Sequence, residues 1–102
     1  MKIRKATSVS HDEAIVRELR ADPEFAVEYL KAAMADEQEP AVLLIALRHI
    51  AEAYGMAKVA RKTGLAREAL YRALSPKGNP TIKTLNAVLK ATGLQLTVNK
   101  AA

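Results

Sequence analysis

A chain of 102 residues is one domain with room for a short appendage, and folding at this size buries roughly two-thirds of the unfolded chain's surface, enough for a core without metal or disulfide. Half of the residues are apolar, 4% are aromatic and none is cysteine, which points to packed Ala- and Leu-rich helices and excludes a disulfide scaffold. The net charge of +5 conceals a division: residues 1–54 hold seven Lys/Arg against ten Asp/Glu, and residues 55–102 hold nine Lys/Arg against Glu68 alone. Such a split predicts a polyanion-binding part beside a part with another task. The longest apolar run, Ala41 to Leu47, is too short to cross a bilayer, and polar residues follow the basic MKIRK where a signal peptide needs an apolar stretch. The expected location is the cytoplasm.

Residues 1–9 carry Lys2, Arg4 and Lys5 without a helical period and read as a flexible basic arm, with a short extended segment around Ile3 as the variant. Ser10-His11-Asp12-Glu13 has the capping-box pattern, so a helix is expected from Ser10 to about Arg20 with Ile15, Val16 and Leu19 inward. Asp22-Pro23 signals a second start, and Phe25, Ala26, Tyr29, Leu30 and Ala33 recur at helical spacing to about Ala35. An acidic loop, Asp36 to Glu39, leads to Pro40. From Pro40 to Tyr54 the pattern has almost no polar face, as in a helix buried on several sides. Arg48 and Glu52, four apart, can pair on its exposed strip, and Gly55 ends it. His49 reads as a packed or capping histidine rather than a catalyst. Past Leu74, Ser75 to Pro80 is dense in turn formers. Thr81 is an N-cap candidate for a helix with Ile82, Leu85, Val88 and Leu89 inward, and Gly93 stands where a left-handed cap belongs. Leu94 to Val98 alternates apolar and polar, a strand candidate that needs a partner: the N-terminal arm, its symmetry mate or another protein.

The functional signal lies in Met56 to Leu74, MAKVARKTGLAREALYRAL. Its pattern is two short helices joined at Thr63-Gly64-Leu65, a helix-turn-helix signature. Gly64 supplies the positive φ of the turn, Ala60 the small side chain where the helices approach, and Val59, Leu65, Leu70 and Ala73 the inner face. The base-reading candidates on the outer face are Ala66, Arg67, Glu68, Tyr71 and Arg72. Arg67 can donate two hydrogen bonds to a guanine edge in the major groove. Glu68 can accept from cytosine N4 or favour the helix N-terminus electrostatically, and Arg72 can read a base or grip a phosphate. Lys58, Arg61, Lys62, Lys77, Thr81 and Lys83 are phosphate-contact candidates, because cations and backbone N–H groups at a helix start both hold phosphate oxygens. No cysteine joins His11 and His49 in a metal site, and no phosphate loop or Ser/His/Asp grouping occurs. The reading is therefore not an enzyme, with no cofactor and no metal.

Residues 56–98 resemble the lambda-repressor-like (Xre/Cro) helix-turn-helix family. More closely, MAKVARKTGLAREALYRALSPKGNPTIKTLNAVLKATGLQL, with DPEFAVEYLKAA at 22–33 and LLIALRHIAEAYG at 43–55, looks like the HigA-type addiction-module antidotes. That resemblance implies an antitoxin that represses its own operon and neutralises a small toxin of the HigB/RelE/ParE type encoded beside it. Such toxins are usually basic, so the acidic N-terminal half suits a toxin-facing surface. Many repressors of the wider family place Gln at the start of the first hairpin helix to bind phosphate. Here Met56 and Ala57 stand there, and Lys58 is left to substitute.

The expected fold is all-α: five or six helices forming a lambda-repressor-like bundle, with two extra N-terminal helices and a short C-terminal strand. Its parts are the arm (1–9), the acidic helical pair (10–39), the DNA-binding unit (40–98) and a tail (99–102). The expected partners are a palindromic double-stranded operator bound by a homodimer and the small basic toxin, with no membrane. The alternative function is a stand-alone prophage-type repressor without a toxin. A third reading is an interaction module whose hairpin no longer binds DNA.

Overall fold

Pro40 starts the helix against which three of the other five pack. The computed structural model describes residues 3–36 and 38–101. They form α1 (Ile3–Ala21), α2 (Phe25–Met34), α3 (Pro40–Tyr54), α4 (Met56–Thr63), α5 (Arg67–Ala73) and α6 (Ile82–Ala91). The fold is all-helical, as the composition required. Pro40 occupies the first turn of α3, where its missing N–H would have no partner in any case. From Ala41 to Ala53 no residue of α3 is exposed, because α1, α2 and α4 all pack against it. Gly55, at φ 115°, ends α3 and begins α4; its N–H donates to the Ala51 carbonyl at 2.9 Å.

One core joins the acidic and basic halves. Leu19 of α1 and Ala26, Leu30 and Ala33 of α2 belong to the same buried cluster as Leu44, Leu47 and Ile50 of α3. That cluster continues through Val59, Leu70, Leu74, Val88 and Leu89. Each fully buried Leu or Val contributes about 1.5–3 kcal/mol relative to an exposed one. Thr81 caps α6 as expected: its Oγ1 accepts the Thr84 N–H at 3.0 Å. Gly93 takes φ 82° just past α6, and the Leu94 N–H returns to the Leu89 carbonyl at 2.8 Å.

Five local expectations change. Ile82, read into the apolar stripe of α6, is 69% exposed and stands outside the core. Helix α1 begins at Ile3 and not at Ser10, so residues 3–9 are neither an arm nor an extended segment, and Ser10 lies inside the helix. No Pro or Gly interrupts Ile3 to Val9, and extending a helix that already exists adds a hydrogen bond for each residue fixed. Asp22-Pro23 belongs to a turn, with Phe25 N–H donating to the Asp22 carbonyl at 3.0 Å, and Glu24 rather than Asp22 precedes α2. Arg48 and Glu52 do not pair among the described residues. Arg48 Nε is buried without a partner, and Glu52 borders a surface hollow beside Arg17 and Arg20 of α1. Finally, Leu94 to Val98 forms no strand: the described residues contain no second strand to pair with it, and alternation without a ladder partner does not hold a strand together.

Candidate functional site

Helices α4 and α5 are joined by Gly64, Leu65 and Ala66. Gly64 adopts the left-handed conformation, φ 76°, and its N–H donates to the Ala60 carbonyl at 2.9 Å. Space around it is open, so the dihedral rather than crowding demands glycine. The Thr63 hydroxyl donates to the Ala60 carbonyl at 3.1 Å and accepts the Leu65 N–H at 3.4 Å, which ties the turn to α4. Val59, Ala60 and Leu70 are buried, and Leu65 and Ala73 are partly buried. The inner face is thus the one assigned from the sequence. Packing of α4 against α3, α5 and α6 holds it in place.

The outer face is accessible throughout. Lys58, Arg61 and Lys62 on α4, Ala66, Arg67, Glu68, Tyr71 and Arg72 on or beside α5, and Lys77, Thr81 and Lys83 beyond it are all exposed. Ala66 precedes α5 in extended conformation and provides no side-chain cap, and Glu68 lies in the first turn of that helix. There its carboxylate is favoured by the helix dipole. The Thr81 hydroxyl is already engaged, accepting from Thr84 N–H and donating to Thr84 Oγ1 at 3.1 Å. Any anion at the start of α6 must therefore rely on backbone N–H groups and Lys83.

Tyr54, at the end of α3, was not singled out from the sequence. Its hydroxyl accepts a hydrogen bond from Lys62 Nζ at 3.1 Å. Lys62 Nζ and Lys58 Nζ lie 5.0 and 5.3 Å from the centre of its ring, within cation–π range. The Lys62 hydrogen bond, then the charges of Lys62 and Lys58, pull the phenol below its ordinary pKa. The usable signal was the spacing 54, 58, 62, which the break at Gly55 disguised.

A second polar cluster lies between the first three helices. His49 of α3 is 3% exposed; its Nε2 is 3.0 Å from Asp12 Oδ1 of α1, and its Nδ1 is 2.6 Å from the Tyr29 hydroxyl of α2. This confirms the packed-histidine reading. Burial, then the Asp12 charge, raises the Tyr29 pKa. Among the described residues no group of three or more His, Cys, Asp or Glu can hold a metal. Along residues 11–34 the exposed carboxylates Asp12, Glu13, Glu18, Asp22, Glu24 and Glu28 stand among the exposed cations Arg17, Arg20 and Lys31.

Residues 10–100 match the family described as probable addiction module antidote protein. The chain belongs to that family. A Haemophilus influenzae protein, itself uncharacterised, is 47% identical to this antidote-family chain over 60 residues, which is 59% of the chain and 62% of the relative. The chain thus spans about three-fifths of that relative's length. No solved structure matches it. No helix among the described residues of this antidote-family chain is long and apolar enough to cross a membrane.

Proposed function

We propose that this protein is the antidote of a two-gene module with two binding tasks and no catalytic one. It neutralises a small basic toxin of the HigB/RelE/ParE type encoded by the adjacent gene, and as a homodimer it represses its own operon. Family membership supports the antidote role and favours it over a stand-alone repressor. One observation carries the DNA role: on α4 and α5 every buried position is apolar or small, and every cation is exposed.

In this reading the α4–turn–α5 unit is a helix-turn-helix of lambda-repressor-like type. Arg67 reads a guanine edge, with Ala66, Glu68, Tyr71 and Arg72 around it, and Lys58, Arg61, Lys62, Lys77, Lys83 and the start of α6 take phosphates. Two recognition helices of the homodimer, about one DNA turn apart, then match a palindrome. The exposed carboxylates of α1 and α2 face the basic toxin, where complementary charge speeds encounter and sets partner choice. A gel-shift titration on the sequence upstream of its gene tests the DNA half: a salt-sensitive, sequence-preferring shift is expected. Absence of any shift at low salt would leave an antidote that does not bind DNA.

A further inference from the structure

We infer that Tyr54, Lys58 and Lys62 form a single phosphodiester-binding clamp, in which the tyrosine is both the support for the lysines and a direct neutral donor to the phosphate. The inference rests on the DNA reading above and adds Tyr54, which contributes no charge and lies outside α4 and α5. A phenol oxygen can accept and donate at once, whereas an ammonium only donates. Because Lys62 Nζ donates to the Tyr54 oxygen at 3.1 Å, the phenol's own hydrogen remains to be given elsewhere. Tyr54 is 39% exposed, and no acceptor for that hydrogen occurs among the hydrogen bonds of the described residues. Polarisation by Lys62 makes the phenol a stronger donor.

The ring has a second effect. Two flexible ammonium groups would ordinarily repel one another and sample many rotamers. Here both are gathered on one π system, at 5.0 and 5.3 Å from its centre, which offsets part of that repulsion and reduces the rotamer freedom lost on binding. Three donors therefore converge across the Gly55 break: two cationic and one neutral. No carboxylate forms an ion pair with either lysine among the described residues, so neither ammonium is already neutralised. An oxyanion with several acceptor oxygens and a diffuse negative charge fits such a group, and the DNA backbone supplies one at each step.

Fluorescence-anisotropy titrations of the full-length protein against a duplex of its own upstream sequence, and against an unrelated duplex of equal length, test the clamp. Y54F should weaken both by the same factor, about two- to tenfold, because it removes a hydrogen bond to a phosphate that carries no base information. It should leave the salt slope almost unchanged, whereas K62A should reduce that slope by about one unit. The double variant should lose less than the product of the single losses, since Lys62 and the hydroxyl orient each other. Thermal unfolding of Y54F, which keeps the ring, confirms that the fold is intact. If the unsubstituted protein binds both duplexes and Y54F binds equally tightly, or loses affinity for one sequence alone, the clamp is wrong. If the unsubstituted protein binds neither duplex at low salt, the DNA reading falls and the clamp with it.

Discussion

The Tyr29 hydroxyl lies 2.6 Å from Nδ1 of the buried His49, in the polar cluster that joins the first three helices. The Asp12 carboxylate, 3.0 Å from Nε2, can only accept, so Nε2 carries the imidazole hydrogen and donates it. In the neutral ring Nδ1 then accepts from the Tyr29 O–H. Every polar atom of the imidazole is satisfied inside the protein, with one partner on α1 and the other on α2. The cluster therefore fixes how the acidic pair sits on α3, while the apolar contacts supply most of the energy.

His49→Ala should destabilise the protein by roughly 2–4 kcal/mol, combining a cavity with two lost hydrogen bonds. Tyr29→Phe should cost about 1 kcal/mol. Asp12→Asn should cost less, because the Asp12 side chain is 56% exposed and solvent screens its charge. Urea unfolding checks the order; a His49→Ala variant as stable as the parent would show that the cluster does not hold the helices.

The two tyrosines with shifted acidity move in opposite directions, and tyrosinate absorbance during alkaline titration should separate them. Tyr54, hydrogen-bonded to Lys62, ionises below the ordinary phenol value of 10.0, and Tyr29, held by burial and the Asp12 charge, above it. Y54F should remove absorbance change from the low-pH side of the titration and Y29F from the high-pH side. Linkage fixes the signs. The stability contributed by Tyr29 is fully present below the unfolded phenol pKa and is lost as pH rises through its higher folded value. The Tyr54 contribution exists above the unfolded value and is lost as pH falls through its lower folded one.

Gly64 and Gly78 should respond to substitution for different reasons. Gly64→Ala places a side chain at φ 76° with open space around it, so the cost is the left-handed dihedral, roughly 1–2 kcal/mol. Gly64→Asn should recover part of it. At Gly78 a Cβ would fall 2.2 Å from the Ala73 carbonyl oxygen at the end of α5, and that backbone must shift. Gly78→Ala should thus cost more than Gly64→Ala in thermal unfolding, and Asn should offer no relief there.

These contrasts also mark what was readable in advance. The chain announces α3, the turn after α4 and the start of α6 through Pro40, Gly55, Gly64 and Thr81, because each imposes a backbone condition that few residues meet. The inner face of α4 and α5 was readable because helical spacing alone separates Val59, Ala60 and Leu70 from the cations. Local signals failed where a competing local or tertiary term decides. The Ser10 capping box looked like a start, but nothing upstream stops the helix. Leu94 to Val98 alternates like a strand, yet no partner strand lies beside it among the described residues. Tyr54 was missed because its spacing to Lys58 and Lys62 crosses the helix break at Gly55, which disguises it.

On the proposed DNA face, Arg67→Ala should cost roughly 1–3 kcal/mol of operator affinity and relax preference at one base position. Equal weakening on every duplex would instead make Arg67 a phosphate contact. Lys58→Ala should lower the salt slope by about one unit; an unchanged slope would remove Lys58 from the interface.

In the proposed function the N-terminal helices serve a second partner while α4 and α5 serve DNA. Removing residues 1–36 would be a poor test, because Leu19, Leu30 and Ala33 are part of the shared core. Reversing exposed charges leaves that core intact. The direct measurement is co-expression with the product of the adjacent gene, followed by pull-down of the parent and of a Glu13→Lys, Glu18→Lys, Glu28→Lys variant. A small basic protein should co-purify with the parent and be lost from the variant, which still shifts its upstream DNA. Equal co-purification with both, or with neither, would contradict it.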